Sequence, residues 1–214
     1  SYSTQDVLNG ASFCIKKGDK IAFTGVSGAG KTTVFKLLSG VYKPSGGNVV
    51  IYSDENASEK TFAPDEISGL FAFVPQGNFL MSGTVRENLT FFADTAPSDE
   101  EIKSALEISC ANFVFDMQGG LERELKERGG GLSEGQIQRL AIARALLTNR
   151  KIILFDEATS ALDEATEKRL MQNLCALKNK TCIFVSHRKT ALEQFSEVYE
   201  ITSNGQIERK EINS

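Results

Sequence analysis

The chain has 214 residues, 41% of them hydrophobic and 24% charged, with a formal net charge of −4. Such a chain holds one or two domains and can bury a core, so global disorder is excluded. The acidic balance argues against nucleic acid or anionic lipid as the main partner, and no run approaches the roughly 18 apolar residues of a bilayer span. The start, Ser1-Tyr2-Ser3-Thr4, lacks a charged and apolar leader, so no signal peptide is expected.

Ala11 to Ile15 runs through Lys16-Lys17-Gly18-Asp19 into Lys20-Ile-Ala-Phe-Thr24, which predicts a hairpin ending in a strand. Gly25 to Lys31 is glycine-rich, and Thr32 to Ser39 has helical spacing closed by Gly40. A strand is predicted over Asn48 to Tyr52, followed by a polar, irregular loop from Ser53 to Ser68 with no assigned chemistry. Leu70 to Val74 is a buried strand stopped by Pro75. Residues from about 77 to 147 carry mostly helical patterns, with a capping box predicted at Ser98 and Glu101. Beyond them, Lys151 to Phe155 and Thr181 to Val185 are short apolar runs of the kind buried parallel strands need. Val198 to Ile212 predicts a hairpin around Asn204-Gly205. The expectation is an α/β core interrupted by a helical insertion. Cys14, Cys110, Cys175 and Cys182 form no C-x-x-C pair, and there is one histidine. A structural zinc site is therefore not expected, and the cysteines read as reduced thiols acting mostly as small buried hydrophobes.

Gly25-Val-Ser-Gly-Ala-Gly-Lys31-Thr32 matches G-x-x-x-x-G-K-[ST]. The glycines let consecutive N–H groups curl around phosphate oxygens, and the following helix adds its positive end. Lys31 would reach the β- and γ-phosphates, and the Thr32 hydroxyl would ligate Mg²⁺. Lys151-Ile-Ile-Leu-Phe-Asp156-Glu157 is an apolar strand ending in two carboxylates. Adjacent side chains of an extended segment diverge, so Asp156 can serve Mg²⁺ while Glu157 faces an attacking water as general base. Leu132-Ser-Glu-Gly-Gln136 precedes an amphipathic helix, with Ser133 and Gln136 at capping-box spacing. An isolated S-x-x-Q is usually only a cap. Here Gly135 exposes backbone N–H groups at a helix start, a second anion site where one ATP needs one per subunit.

In order and spacing these three segments resemble the nucleotide-binding domain of ATP-binding-cassette transporters over nearly the whole chain. The resemblance implies an α/β, P-loop NTPase (RecA-like) core with an antiparallel β subdomain and an inserted α-helical signature subdomain. Residues 1–76 and 148–214 would form the ATP-binding core and 77–147 the helical part, within one domain of 214 residues. It implies ATP bound by Gly25, Ser27, Gly28, Ala29, Gly30, Lys31, Thr32 and Thr33, with Tyr2 stacked on adenine. Mg²⁺ would be held by Thr32, Gln76 and Asp156, and catalysis carried by Glu157, His187 and Gln76. Ser133, Glu134, Gly135 and Gln136 would form the signature facing the ATP of a partner subunit. Ser160-Ala-Leu-Asp163 resembles the D-loop, which crosses the dimer interface. Glu134 stands where glycine is commoner in the family.

The stretch Gly83-Thr84-Val-Arg-Glu87-Asn88-Leu89 and the acidic segment Glu124 to Gly129 resemble exporter-type domains. Asn88-Leu-Thr90 formally matches a glycosylation sequon. The partners implied are a second nucleotide-binding domain, identical or not, and a transmembrane domain fused or associated, with no nucleic acid. The chain would sit at the cytoplasmic face of the cell membrane. The alternative is a soluble cassette ATPase of the translation or iron–sulfur assembly type. A chromosome-maintenance ATPase head would need a long coiled coil between Lys31 and Ser133, which are about 100 residues apart without heptads. A switch GTPase would not need the signature. The transported substrate is not written in this chain.

Overall fold

The computed structural model describes residues 7–52, 67, 69–77, 79–126 and 129–210. Its centre is a six-stranded sheet built from β1 (Lys20–Thr24), β2 (Phe71–Val74), β5 (Ile152–Asp156), β6 (Thr181–Val185), β7 (Glu197–Ile201) and β8 (Ile207–Lys210). The order across the sheet is β2-β5-β6-β1-β7-β8. Every pairing is parallel except that of β7 with β8. That last pair is the terminal hairpin expected around Asn204-Gly205. Two short strands, β3 (Gly83–Thr84) and β4 (Glu124–Leu125), form a separate antiparallel pair.

The central strands β1, β5 and β6 are apolar because both sheet faces are covered there. Alternation along them sorts side chains into two cores. Ala22, Ile153, Phe155, Cys182 and Phe184 join one cluster. Ile21, Phe23, Leu154, Ile183 and Val185 join the other, together with Val34 and Phe35 of helix α1 (Lys31–Leu38). In the first cluster the Phe155 and Phe184 rings stack with centroids 4.4 Å apart.

A third cluster lies among α2 (Val85–Thr90), α3 (Asp99–Ile108), α4 (Phe113–Asp116) and α5 (Glu134–Leu146). Helix α5 serves two cores at once: Leu140 and Ala143 pack in the helical cluster, Ala141, Ile142 and Ala145 against the sheet. It is the joint between the two parts. Helix α6 (Glu164–Cys175) and the short α7 (Lys189–Leu192) complete the set. No helix among the described residues is long and apolar enough to cross a membrane.

Local signals are realised where chemistry is local. Ser98 and Glu101 form a reciprocal capping box, as do Ser133 and Gln136. The opening hairpin is not formed. Residues 11–15 join no strand, and β1 takes β6 and β7 as neighbours instead. Phe13 nevertheless packs edge-on against Phe23, so its hydrophobicity serves side-chain packing and not a ladder. Residues 48–50 also carry no strand, and Ile51 has only an isolated bridge. Most of the 53–68 loop lies outside the described residues.

The four cysteines are unpaired, but only Cys182 is fully buried, which pushes its thiol up to about 12, while Cys14 is exposed. Asn88 of the sequon is 2% exposed. Its amide donates to Met81 O and Thr84 O and accepts from Met81 N, so it pins a turn and offers nothing to a glycan.

Candidate active site

Four parallel strands, β2, β5, β6 and β1, lie side by side and end at one edge of the sheet. Phe23 and Asp156 both pair with Val185, and Val74 with Phe155. Every segment that follows those strands therefore emerges together: Gln76 after β2, Glu157 after β5, His187 after β6 and the glycine loop after β1. The carboxyl edge of an open parallel sheet is where such folds bind ligands.

The glycine loop is shaped by its neighbours. Gly25 has φ +141°, and a Cβ there would meet Ile201 O at 2.5 Å. Gly30, at φ +106°, is the N-cap of α1, and a Cβ would press on Val7 Cγ1 at 2.8 Å. A side chain would be strained at both positions. Gly28 differs: φ is +81° and no heavy atom lies within 4 Å of a built Cβ, so open space faces that part of the loop. Ser27 and Thr32 are exposed and Thr33 half-buried, whereas Ala29 is buried. Lys31 folds over the loop, its Nζ donating to Gly25 O and Val26 O at 2.9 Å each. Burial lowers its pKa, opposed by the nearby Glu157 and Asp156 carboxylates.

Asp156 is the last residue of β5 and 9% exposed. Burial first, then the neighbouring Glu157, raises its pKa, against the pull of Lys31 and Lys36. Glu157 lies beyond the strand and has φ +48°. The alternation of an extended strand therefore does not govern this pair. The chain turns left-handed at Glu157, whose N–H still donates to Val185 O at 3.2 Å. That turn brings three predicted residues together. Gln76 Nε2 donates to Glu157 Oε2 at 2.8 Å, and His187 Nε2 lies 3.4 Å from Glu157 Oε1. Side chains that follow two other strands thus meet on the Glu157 carboxylate, Gln76 from 81 residues away in sequence.

The Leu132–Gln136 turn opens α5. Ser133 Oγ accepts from Gln136 N at 3.2 Å, and Gln136 Oε1 accepts from Ser133 N at 2.9 Å. Ser133 and Glu134 are exposed, Gly135 and Gln136 half-buried. Gly135 has an intrachain reason to be glycine, since a Cβ would lie 2.9 Å from Ala161 O. One helical turn on, Gln138 grips the same neighbour: its Nε2 donates to Ser160 Oγ at 3.0 Å and its Oε1 accepts from Ala161 N at 3.1 Å. Asp163 caps α6, accepting from Thr166 N at 2.9 Å, which lowers its pKa.

Sequence reasoning missed three residues here: Gln138, Glu167 and Arg188. A signal existed for Glu167. It precedes Leu170, Met171 and Leu174 by 3, 4 and 7 positions, on the apolar stripe of α6. Tyr2 and the Glu127-Arg128 pair of the acidic segment lie outside the described residues.

Comparison with known proteins gives a consistent result. A family model described as "ABC transporter" matches residues 8–160. The lactococcin-G-processing and transport ATP-binding protein LagD of Lactococcus lactis subsp. lactis is 39% identical over 193 residues, 90% of this chain and 27% of that protein. The transport/processing ATP-binding protein ComA of Streptococcus pneumoniae is 38% identical, covering 91% of this chain and 27% of its own length. A multidrug resistance ABC transporter ATP-binding and permease protein of L. lactis subsp. lactis is 37% identical over 95% of this chain and 34% of its own. Among solved structures, a bacterial Atm1-family ABC exporter with ATP bound matches with a TM-score of 0.86 and 31% identity, over 99% of this chain and 37% of that one. The chain therefore spans between 27% and 34% of the length of these curated relatives.

Proposed function

The chain belongs to the ABC transporter family as an ATP-binding, ATP-hydrolysing domain, and from that premise we propose that it is the motor of an exporter, closing with a second such domain head-to-tail around two ATP. The observation that carries the reading is the convergence of Gln76 and His187 on Glu157, beside Lys31 and Asp156, at one sheet edge. The relatives' names speak of transport, which favours the exporter over a soluble cassette ATPase. The membrane part, fused or associated, would place the chain at the cytoplasmic face. The core would comprise residues 1–76 and 148–214, with 77–147 as the helical part.

In this reading the backbone N–H groups from Gly25 to Thr33 cradle the phosphates, and Lys31 turns from its two loop carbonyls to the β- and γ-phosphate oxygens. Mg²⁺ fits the residues present. Among the described residues no group of three His, Cys, Asp or Glu could hold a metal. A cation here would therefore share Asp156 with the Thr32 hydroxyl, the Gln76 amide oxygen and the nucleotide itself. The raised pKa of Asp156, set partly by its acidic neighbour, is one that an adjacent cation would relieve. Mg²⁺, when bound, neutralises charge on the phosphate oxygens. Glu157 accepts the proton of the attacking water, and His187 and Gln76 hold that water and the carboxylate in line. Imidazole can donate to the γ-phosphate without acting as base. Ser133 and Gly135 of the partner domain would cover the γ-phosphate, and its loss would let the dimer open.

The test is Glu157→Gln. Turnover should fall on the order of 10²–10⁴-fold, ATP should still bind, and ATP should shift the protein to a dimer in gel filtration. Unchanged turnover removes Glu157 as the base. A monomer persisting at saturating ATP and high protein concentration counts against the sandwich.

A further inference from the structure

Glu167 of α6 is 1% exposed, a carboxylate inside the protein. Its Oε1 accepts from Thr159 Oγ1 at 2.6 Å and its Oε2 from Arg188 at 3.0 Å. Arg188 directly follows His187 and does more than neutralise this acid. Its NH1 also donates to Leu162 O at 2.9 Å and its NH2 to Ser160 O at 2.9 Å. One planar guanidinium thus holds two carbonyls of the 160–163 turn while pairing with a carboxylate, a fork that a lysine cannot match. From the opposite side, Gln138 of α5 holds Ser160 Oγ and Ala161 N. The 160–163 turn is therefore gripped between the helix that begins at Ser133 and the segment that carries His187.

We propose that Arg188 is a positioning residue for ATP hydrolysis, one that registers the 160–163 turn, and with it the Leu132–Gln136 turn, against the Glu157–His187 pair of the same chain. The inference rests on the motor reading above and adds a residue to it. Arg188 need touch neither nucleotide nor water. It sets how far one chain's helix start, offered to a partner, stands from that chain's own catalytic carboxylate. Misplacement of a reacting constellation by about 1 Å can cost about 100-fold in rate, so a partial loosening should cost less than that.

The experiment uses the intact polypeptide that carries this chain, with three readouts: kcat and KM for ATP, and thermal melting. Arg188→Lys keeps a charge beside Glu167 but loses the fork. It should melt within about 3 °C of the parent, keep KM within about twofold, and lose about tenfold in kcat. The double variant Arg188→Met with Glu167→Gln removes both charges of this ion pair together. It should show the same loss in kcat. Wild-type kcat in either variant would overturn the proposal, because Arg188 would then only neutralise Glu167. A raised KM with intact kcat would also overturn it, by placing Arg188 in nucleotide binding. Failure of the motor reading is separate: the parent itself would not hydrolyse ATP, or Glu157→Gln would not dimerise with it.

Discussion

Two helices of this chain begin with glycine close to their first turn, and they begin in opposite ways. Helix α1 starts at Gly30 in a left-handed conformation, with no side-chain cap and no acidic residue in its first turn, and with a buried lysine as its first residue. Helix α5 starts at Ser133, which closes a capping box with Gln136, and carries Glu134 in its first turn. The first start is prepared to take an anion itself, since its donors are uncapped and its local charge is positive. The second already satisfies one N–H through Ser133 and has a carboxylate at its mouth. Such a start is poorly suited to capture an anion alone and better suited to cover one that is held elsewhere. The contrast supports a site completed by two chains.

Three substitutions test that contrast. The largest effect belongs to Lys31→Ala. It removes the buried cation of the first start and should weaken ATP binding by about 10–100-fold, the cost of a lost charge-assisted contact. Titration calorimetry decides, and unaltered affinity would break the comparison. Next comes Gly135→Ala. The added Cβ would lie 2.9 Å from the Ala161 carbonyl, so the turn must shift. ATP affinity should stay within about twofold, while turnover falls by about tenfold. If affinity fell with turnover, the two helix starts would not be separable. The smallest effect is that of Ser133→Ala on the nucleotide-free protein. Losing this cap should cost about 1 kcal/mol and lower the melting temperature by about 2–4 °C. No change in melting would mean that the capping box does not hold the second start.

What was legible in the sequence was local. The phosphate loop, the two capping boxes and the hairpin at Asn204-Gly205 depend on residues within a few positions of each other, and each is formed. The buried parallel strands β5 and β6 were legible from their uninterrupted apolar runs, whereas Leu70 to Val74 gives the edge strand β2, with Phe73 exposed. What was not legible depends on partners far away. Residues 11–15 look like a strand, but β1 finds better-buried neighbours in β6 and β7, more than 150 residues on. In the sequence Gly135 looks like an exposed backbone donor, while its need for a missing side chain comes from Ala161. Nothing in the residues beside Arg188 marks it in the sequence. Only the fold brings Ser160, Leu162 and Glu167 to it.

The left-handed backbone at Glu157 has a consequence for how such a chain can change. An L-residue with a long side chain at φ +48° costs roughly 1–2 kcal/mol relative to glycine there. Glycine or asparagine at position 157 would relax that cost and lose the carboxylate. With Glu157 as the proposed base, a population selected only for surviving heat would drift towards molecules without it, and the acid would persist only under selection for turnover.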